Sequence, residues 1–77
     1  MTRDDFLKEI ETILEASPGT LTGTEELSSL EMWDSLAVLS FIALVDDEFE
    51  INVPGKTVNG CKTVNDLIQI VADKLAS

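Results

Sequence analysis

Between Ser35 and Glu50, in SLAVLSFIALVDDEFE, apolar side chains run almost all the way round a helix. Turned by about 100° per residue, Val38, Phe41, Ile42, Val45 and Phe49 fall on one broad face. Leu36, Leu39, Ala43 and Asp47 fall on the other side, with Ser40 beside them. A helix on the surface of a globular protein ordinarily carries one apolar stripe and one polar face. Two readings fit a helix with two stripes. In the first it is central, covered on both sides by other helices and a long loop. In the second, Leu36 and Leu39 face outward as a docking strip. Asp46, Asp47, Glu48 and Glu50 crowd the C-terminal end, where the helix dipole disfavours negative charge by roughly 0.3–1 kcal/mol each. Those acids do nothing for the helix, and an apolar strip bordered by one sign of charge has the form of a docking surface.

The rest of the chain supplies elements for such a helix to pack on. Phe6, Leu7, Ile10, Ile13 and Leu14 repeat at helical spacing and predict a first helix over residues 3–16. Thr2 is placed to cap it, Asp5 to complete a capping box, and Met1 and Phe6 to form a hydrophobic staple. Pro18, Gly19 and Gly23 stop it. Residues 17–33 form a long connection in which Leu21, Leu27, Leu30 and Trp33 read as pins against the helices. The helix that opens at Ser35 ends at residue 49 or 50, before Asn52, Pro54 and Gly55. One helical turn fits between Gly55 and Gly60. A last helix is expected over residues 64–75, capped by Thr63 with Asp66 and carrying Val64, Leu67, Ile68, Val71, Ala72 and Leu75 on its apolar face. No segment alternates strongly with period two. The expected fold is all-α: a small antiparallel bundle of three main helices and one short one, with a long first loop, in one domain spanning residues 1–77.

Composition narrows what such a bundle does. The net charge is −10, and residues 9–55 hold 11 of the 15 acids and no Lys or Arg. A partner reading this surface should be basic, and nucleic acid would be repelled. There is no His, which removes Ser-His and Cys-His catalysis and the commonest metal ligand. The acids of DDEFE lack the spacing of a calcium loop. Neither a metal site nor an enzyme is expected. The single Cys61 allows no internal disulfide, suits a reducing cytoplasm and reads as a buried structural thiol. The N-terminus has the form of neither a signal nor a transit peptide, and the longest apolar run, FIALV, falls far short of a membrane span.

Ser35 stands at the opening of a helix after a loop, where its hydroxyl should be exposed. A helix N-terminus favours a negative group, so a phosphate on this serine would sit well. Asp34 and Ser35 are also ordinary N-cap residues and need no other purpose. The wider pattern bears on that choice. WDSLAVLSFIALVDDEFEI resembles the phosphopantetheine attachment region of acyl carrier proteins, whose signature is Asp-Ser-Leu opening the second helix, followed by an apolar helix ending in acids and Phe. Asp34, Ser35 and Leu36 match the tripeptide. Asp46, Asp47, Glu48 and Phe49 match the acidic end. TVNDLIQIVADKL looks like the family's last helix. The resemblance implies that Ser35 carries 4′-phosphopantetheine as a phosphodiester, with an acyl group as a thioester on the arm's thiol. It implies that Asp34 helps the transferase's metal ion at loading, and that Leu36 and the acids Asp46, Asp47, Glu48 and Glu50 face partners, as the apolar stripe by itself suggests for Leu39. Those partners would be a phosphopantetheinyl transferase and acyl-loading and acyl-processing enzymes with basic docking patches, met by a cytoplasmic monomer.

The match departs in two places. Many fatty-acid carriers hold further acids early in this helix, where Ala37 and Ser40 stand here, and Trp33 occupies a position where a small residue is common. Both departures point to a specialised carrier with its own enzymes of fatty-acid, lipid or polyketide-type synthesis. They leave open an aminoacyl or peptidyl carrier. An unmodified acidic helical adaptor would use the same face and treat Asp-Ser-Leu as accidental.

Overall fold

The computed structural model describes residues 1–17 and 19–75. Four α-helices follow in order: α1 (Arg3–Ile13), α2 (Ser35–Phe49), α3 (Gly55–Asn59) and α4 (Val64–Ile70). Single 3-10 turns form at Leu27–Ser29 and Ala72–Lys74. Among the described residues there is no strand, only an isolated antiparallel bridge between Glu26 and Thr63. The all-α bundle expected from the apolar spacing is the fold observed. Pro18, expected to help stop the first helix, lies outside the described residues.

Two capping boxes start α1 and α4. The Thr2 hydroxyl accepts from the Asp5 N–H at 3.1 Å, and the Asp5 carboxylate accepts from the Thr2 N–H at 3.3 Å. At α4 the Thr63 hydroxyl accepts from Asp66 N–H at 3.3 Å, while Asp66 accepts from the N–H groups of Thr63 at 3.1 Å and Lys62 at 2.9 Å. Each box satisfies donors that the helix leaves free at its first turn.

Two helices end earlier than expected. α1 stops at Ile13 rather than near residue 16, because Glu15 takes a left-handed conformation with φ 56°. The Ala16 N–H then reaches the Glu11 carbonyl at 2.8 Å and the Glu15 N–H the Thr12 carbonyl at 3.1 Å. These are the paired bonds of a Schellman stop, here without the glycine that usually announces one. α4 stops at Ile70 rather than running to residue 75. The chain tightens into i→i−3 bonds, with Val71 N–H on Ile68 O at 3.1 Å and Lys74 N–H on Val71 O at 2.8 Å. This change of pitch leaves Val71 buried but turns Ala72 to solvent, so Ala72 is not part of the apolar face.

The core joins Phe6, Ile10, Phe41, Val45, Val58, Val64, Leu67 and Val71, all fully buried. Phe6 sits edge-on to both Phe41, at 5.9 Å between ring centres, and Phe49, at 5.7 Å. This geometry suits the ring quadrupoles and ties α1 to the middle and the C-terminal end of α2. The first loop is pinned as expected, with Leu21 and Leu27 buried and Leu30 and Trp33 packed half-buried on the core. It is also stitched to the start of α4 by Leu27 N–H on Lys62 O at 2.8 Å, Val64 N–H on Glu25 O at 3.1 Å and Asn65 N–H on Gly23 O at 2.8 Å. One buried group has no counterpart in the apolar pattern. Glu11 is 3% exposed, and its carboxylate accepts the Leu21 N–H at 2.9 Å, holding the loop onto α1.

Backbone N–H donors from Lys62 and Thr63 hold the Asp66 carboxyl below its ordinary range. A carboxyl with a lowered folded-state pKa stabilises the fold above its unfolded pKa, and that contribution is lost as pH falls through the folded value. The melting temperature of Asp66→Asn should therefore lie below that of the native chain at neutral pH. The gap should close as the solution is acidified past the lowered pKa. A gap that persisted unchanged into strong acid would show that charge on Asp66 is not what the box uses.

Candidate functional site

The turn that presents Ser35 is built by its neighbours on both sides. Asp34, in extended conformation with φ −120° and ψ −171°, is the N-cap of α2, and its Oδ1 accepts the Ala37 N–H at 2.9 Å. Ser35 is thus the first helical residue, with its side chain exposed. Upstream, the Trp33 N–H bonds to the Leu30 carbonyl at 3.0 Å, and the Trp33 ring meets the edge of Phe41 at 6.2 Å. Trp33 therefore fastens the turn to the core from the N-terminal side, as Ala37, 4% exposed, does from the C-terminal side.

This arrangement can hold a phosphate. The first N–H groups of a helix have no intrahelical acceptor, and Asp34 engages that of Ala37, so the N–H groups of Ser35 and Leu36 remain available by helix geometry. Together with the positive end of the helix dipole they favour an anion on the Ser35 oxygen. An exposed hydroxyl, free donors beside it and a turn fastened to the core by Trp33 and Ala37 fit a covalently attached phosphodiester.

α2 displays its second stripe to solvent. Leu36 is 70% exposed and Leu39 63%, so the helix is not covered on both sides at these positions. Ala43, Ser40 and the acids Asp46, Asp47, Glu48 and Glu50 are exposed as well. No basic residue lies in the last turn of α2, which leaves the dipole there uncompensated. Glu50 closes the helix in a left-handed conformation, φ 56° and ψ 34°, with its N–H on the Asp46 carbonyl at 2.9 Å. The structure brings Asp34, Ser35 and Leu36 together at one end of the helix and sets Asp46, Asp47, Glu48 and Glu50 at the other.

Two features escaped the sequence reading. Met32, 45% exposed just ahead of the turn, belongs to no periodic stripe. Its only signal in the sequence was an apolar residue lying between an acid and Trp33. Cys61 is half-buried rather than buried, its thiol donating to the Thr57 carbonyl at 3.5 Å. Burial, with the nearby Asp66 charge, pushes its pKa up and away from reactive thiolate character. Among the described residues there is no group of three or more His, Cys, Asp or Glu placed to hold a metal ion. Among the described residues no helix is long and apolar enough to cross a membrane.

The family described as "Phosphopantetheine attachment site" matches residues 4–71, a span that takes in all four helices and the Ser35 turn except the first residue of α1. The chain belongs to this family of carriers. Its members bind 4′-phosphopantetheine covalently, are not themselves catalysts, and meet a phosphopantetheinyl transferase and further partner enzymes. No curated protein and no solved structure gives a significant match to the chain.

Proposed function

We propose that residues 1–77 act as one acyl carrier domain, with Ser35 the residue that holds the 4′-phosphopantetheine. The observation that carries this is the placement of Ser35. It is an exposed hydroxyl at the first position of α2, beside an N-cap, Asp34, that leaves the leading N–H groups free. In loading, the Ser35 Oγ displaces the adenosine bisphosphate from the pyrophosphate of coenzyme A. A phosphodiester bond forms, a pyrophosphate bond breaks, and the hydroxyl proton passes to a base of the transferase. Once bound, the arm supplies a thiol on which an acyl group rides as a thioester. In this reading Asp34, exposed next to the reacting oxygen, helps the transferase's metal ion.

The partner surface in this reading has two parts. Asp46, Asp47, Glu48 and Glu50 attract a basic enzyme at long range and act chiefly on the association rate. Leu36 and Leu39 supply short-range apolar contact and act chiefly on dissociation. A second reading, an aminoacyl or peptidyl cargo, is favoured by the absence of an acid at the exposed Ser40; Ala37, which the sequence pattern set beside it, is buried and faces no partner. Identifying the thioester in the native cell separates the two.

The attachment itself is tested by incubating the chain with coenzyme A and a phosphopantetheinyl transferase. The intact mass should rise by one phosphopantetheine, and fragmentation should place it on the peptide containing Ser35. Addition to a different serine or threonine would overturn the assignment.

A further inference from the structure

The exposed Met32 side chain is a ridge between two shallow grooves. One, about 170 Å3, runs between the end of α1 and the start of α2 and is lined by Ile13, Glu15, Asp34, Leu36, Ala37 and Ser40 along with Met32. The other, about 270 Å3, lies between α1 and the first loop, where Leu14, Leu21, Leu30 and Glu31 line it with Met32. The first groove starts at the two neighbours of Ser35 in sequence. Neither groove includes the exposed Leu39 or the acids at the far end of α2.

We propose that Met32 and its two grooves form a docking site for the enzyme that loads Ser35. That enzyme would place an apolar side chain on each side of the Met32 ridge and a Lys or Arg against Glu15, Asp34 and Glu31. The inference rests on Ser35 being the attachment residue. An enzyme acting on the Ser35 oxygen must cover the surface on either side of it, and Asp34 and Leu36 are that surface. The chemistry of the occupant follows from the lining. The linings are mainly apolar, with Thr20, Ser29 and Ser40 the uncharged polar members, and every charged residue in them is acidic, in a stretch with no Lys or Arg from residue 9 to 55. An apolar centre rimmed by one sign of charge fits an apolar anchor flanked by cations. The unbranched Met side chain adapts to the anchors set on either side of it. Two other occupants fit less well. A second copy of this chain would bring its own acids against Glu15, Asp34 and Glu31. The arm itself carries no cation to set against that acidic rim.

The test measures loading of the full chain by a phosphopantetheinyl transferase from coenzyme A, with fold checked by circular dichroism. Met32→Gln keeps the side-chain length at an exposed position and removes its apolar character. It should lower kcat/KM about tenfold, as loss of an interface anchor does, and nearly independently of salt. Glu31→Lys should lower kcat/KM at low ionic strength, with the loss shrinking as salt rises. Asp73→Lys makes the same charge change in the turn after α4, away from both grooves, and should leave loading unchanged. Wild-type rates in both Met32→Gln and Glu31→Lys, with loading still on Ser35, would overturn the docking site and leave the carrier reading standing. Absence of any loading in the native chain would overturn both. A final measurement compares the Ile13 and Met32 methyl resonances of the enzyme-free protein before and after loading, where no shift is expected. Such shifts, or self-association that Met32→Gln abolishes, would hand the grooves to the arm or to a second copy and overturn the proposal.

Discussion

Ser35→Ala should remain folded and accept no phosphopantetheine under conditions that load the native chain completely. The two halves of this expectation come from different parts of the turn. The N-cap bond of α2 is made by Asp34, whose Oδ1 holds the Ala37 N–H, and the Ser35 side chain is exposed. Removing the Ser35 hydroxyl therefore leaves the cap intact, and Ala at the first helical position is a good helix former. The melting temperature should be close to native. The modification, by contrast, has lost its only nucleophile at this turn. Asp34→Ala provides the contrast. It should cost about 0.5–2 kcal/mol of stability through the lost cap while leaving the hydroxyl in place. Intact mass and a melting curve on the two variants separate attachment from capping. Labelling that persists in Ser35→Ala would show that the arm goes elsewhere.

The sequence made the helices and their starts legible because those depend on local chemistry. Thr2 with Asp5, and Thr63 with Asp66, are three residues apart and satisfy each other's backbone donors whatever surrounds them. The core face of α2 was legible for a similar reason: periodicity alone puts Phe41 and Val45 together. Helix ends were not, because α1 stops on Glu15, whose left-handed backbone no sequence rule assigns to a glutamate. Periodicity also gave two stripes on α2 and no means of deciding what covers the second. Only the packed structure shows Leu36 and Leu39 in solvent. Glu11 and Met32 were missed in opposite senses. A charge on an amphipathic helix is expected outside, but Glu11 is drawn in by the Leu21 N–H of a loop ten residues away. An apolar loop residue is expected to be a pin, as Leu30 is, but Met32 falls where the chain turns outward to present Asp34 and Ser35. Both outcomes depend on how the loop lies on the helices, and composition does not encode that.

Gly23→Ala should destabilise the fold by about 2–4 kcal/mol, a large share of the roughly 5–15 kcal/mol that holds a protein of this kind together. Gly23 is buried where the first loop crosses between α1 and α4, with φ +116°, a conformation that L side chains rarely adopt. An added Cβ would overlap the Asn65 side-chain oxygen and lie 2.6 Å from Arg3 Nη2. Those two atoms bond each other at 2.9 Å, and Arg3 Nη2 also reaches the Thr22 carbonyl at 3.1 Å. The methyl group would thus strain the backbone and part the Arg3–Asn65 link that joins α1 to α4. It would also disturb the Asn65 N–H bond to Gly23 O. Chemical denaturation measures the loss, and a midpoint equal to the native one would remove Gly23 from this role. The Asp34–Ala37 cap and the Trp33–Phe41 contact lie some ten or more residues further along and share none of these bonds. Under conditions where Gly23→Ala is folded, Ser35 should therefore load at close to the native rate. The loop would then have two separable ends: one that secures it to the bundle at Gly23, and one that aims the serine.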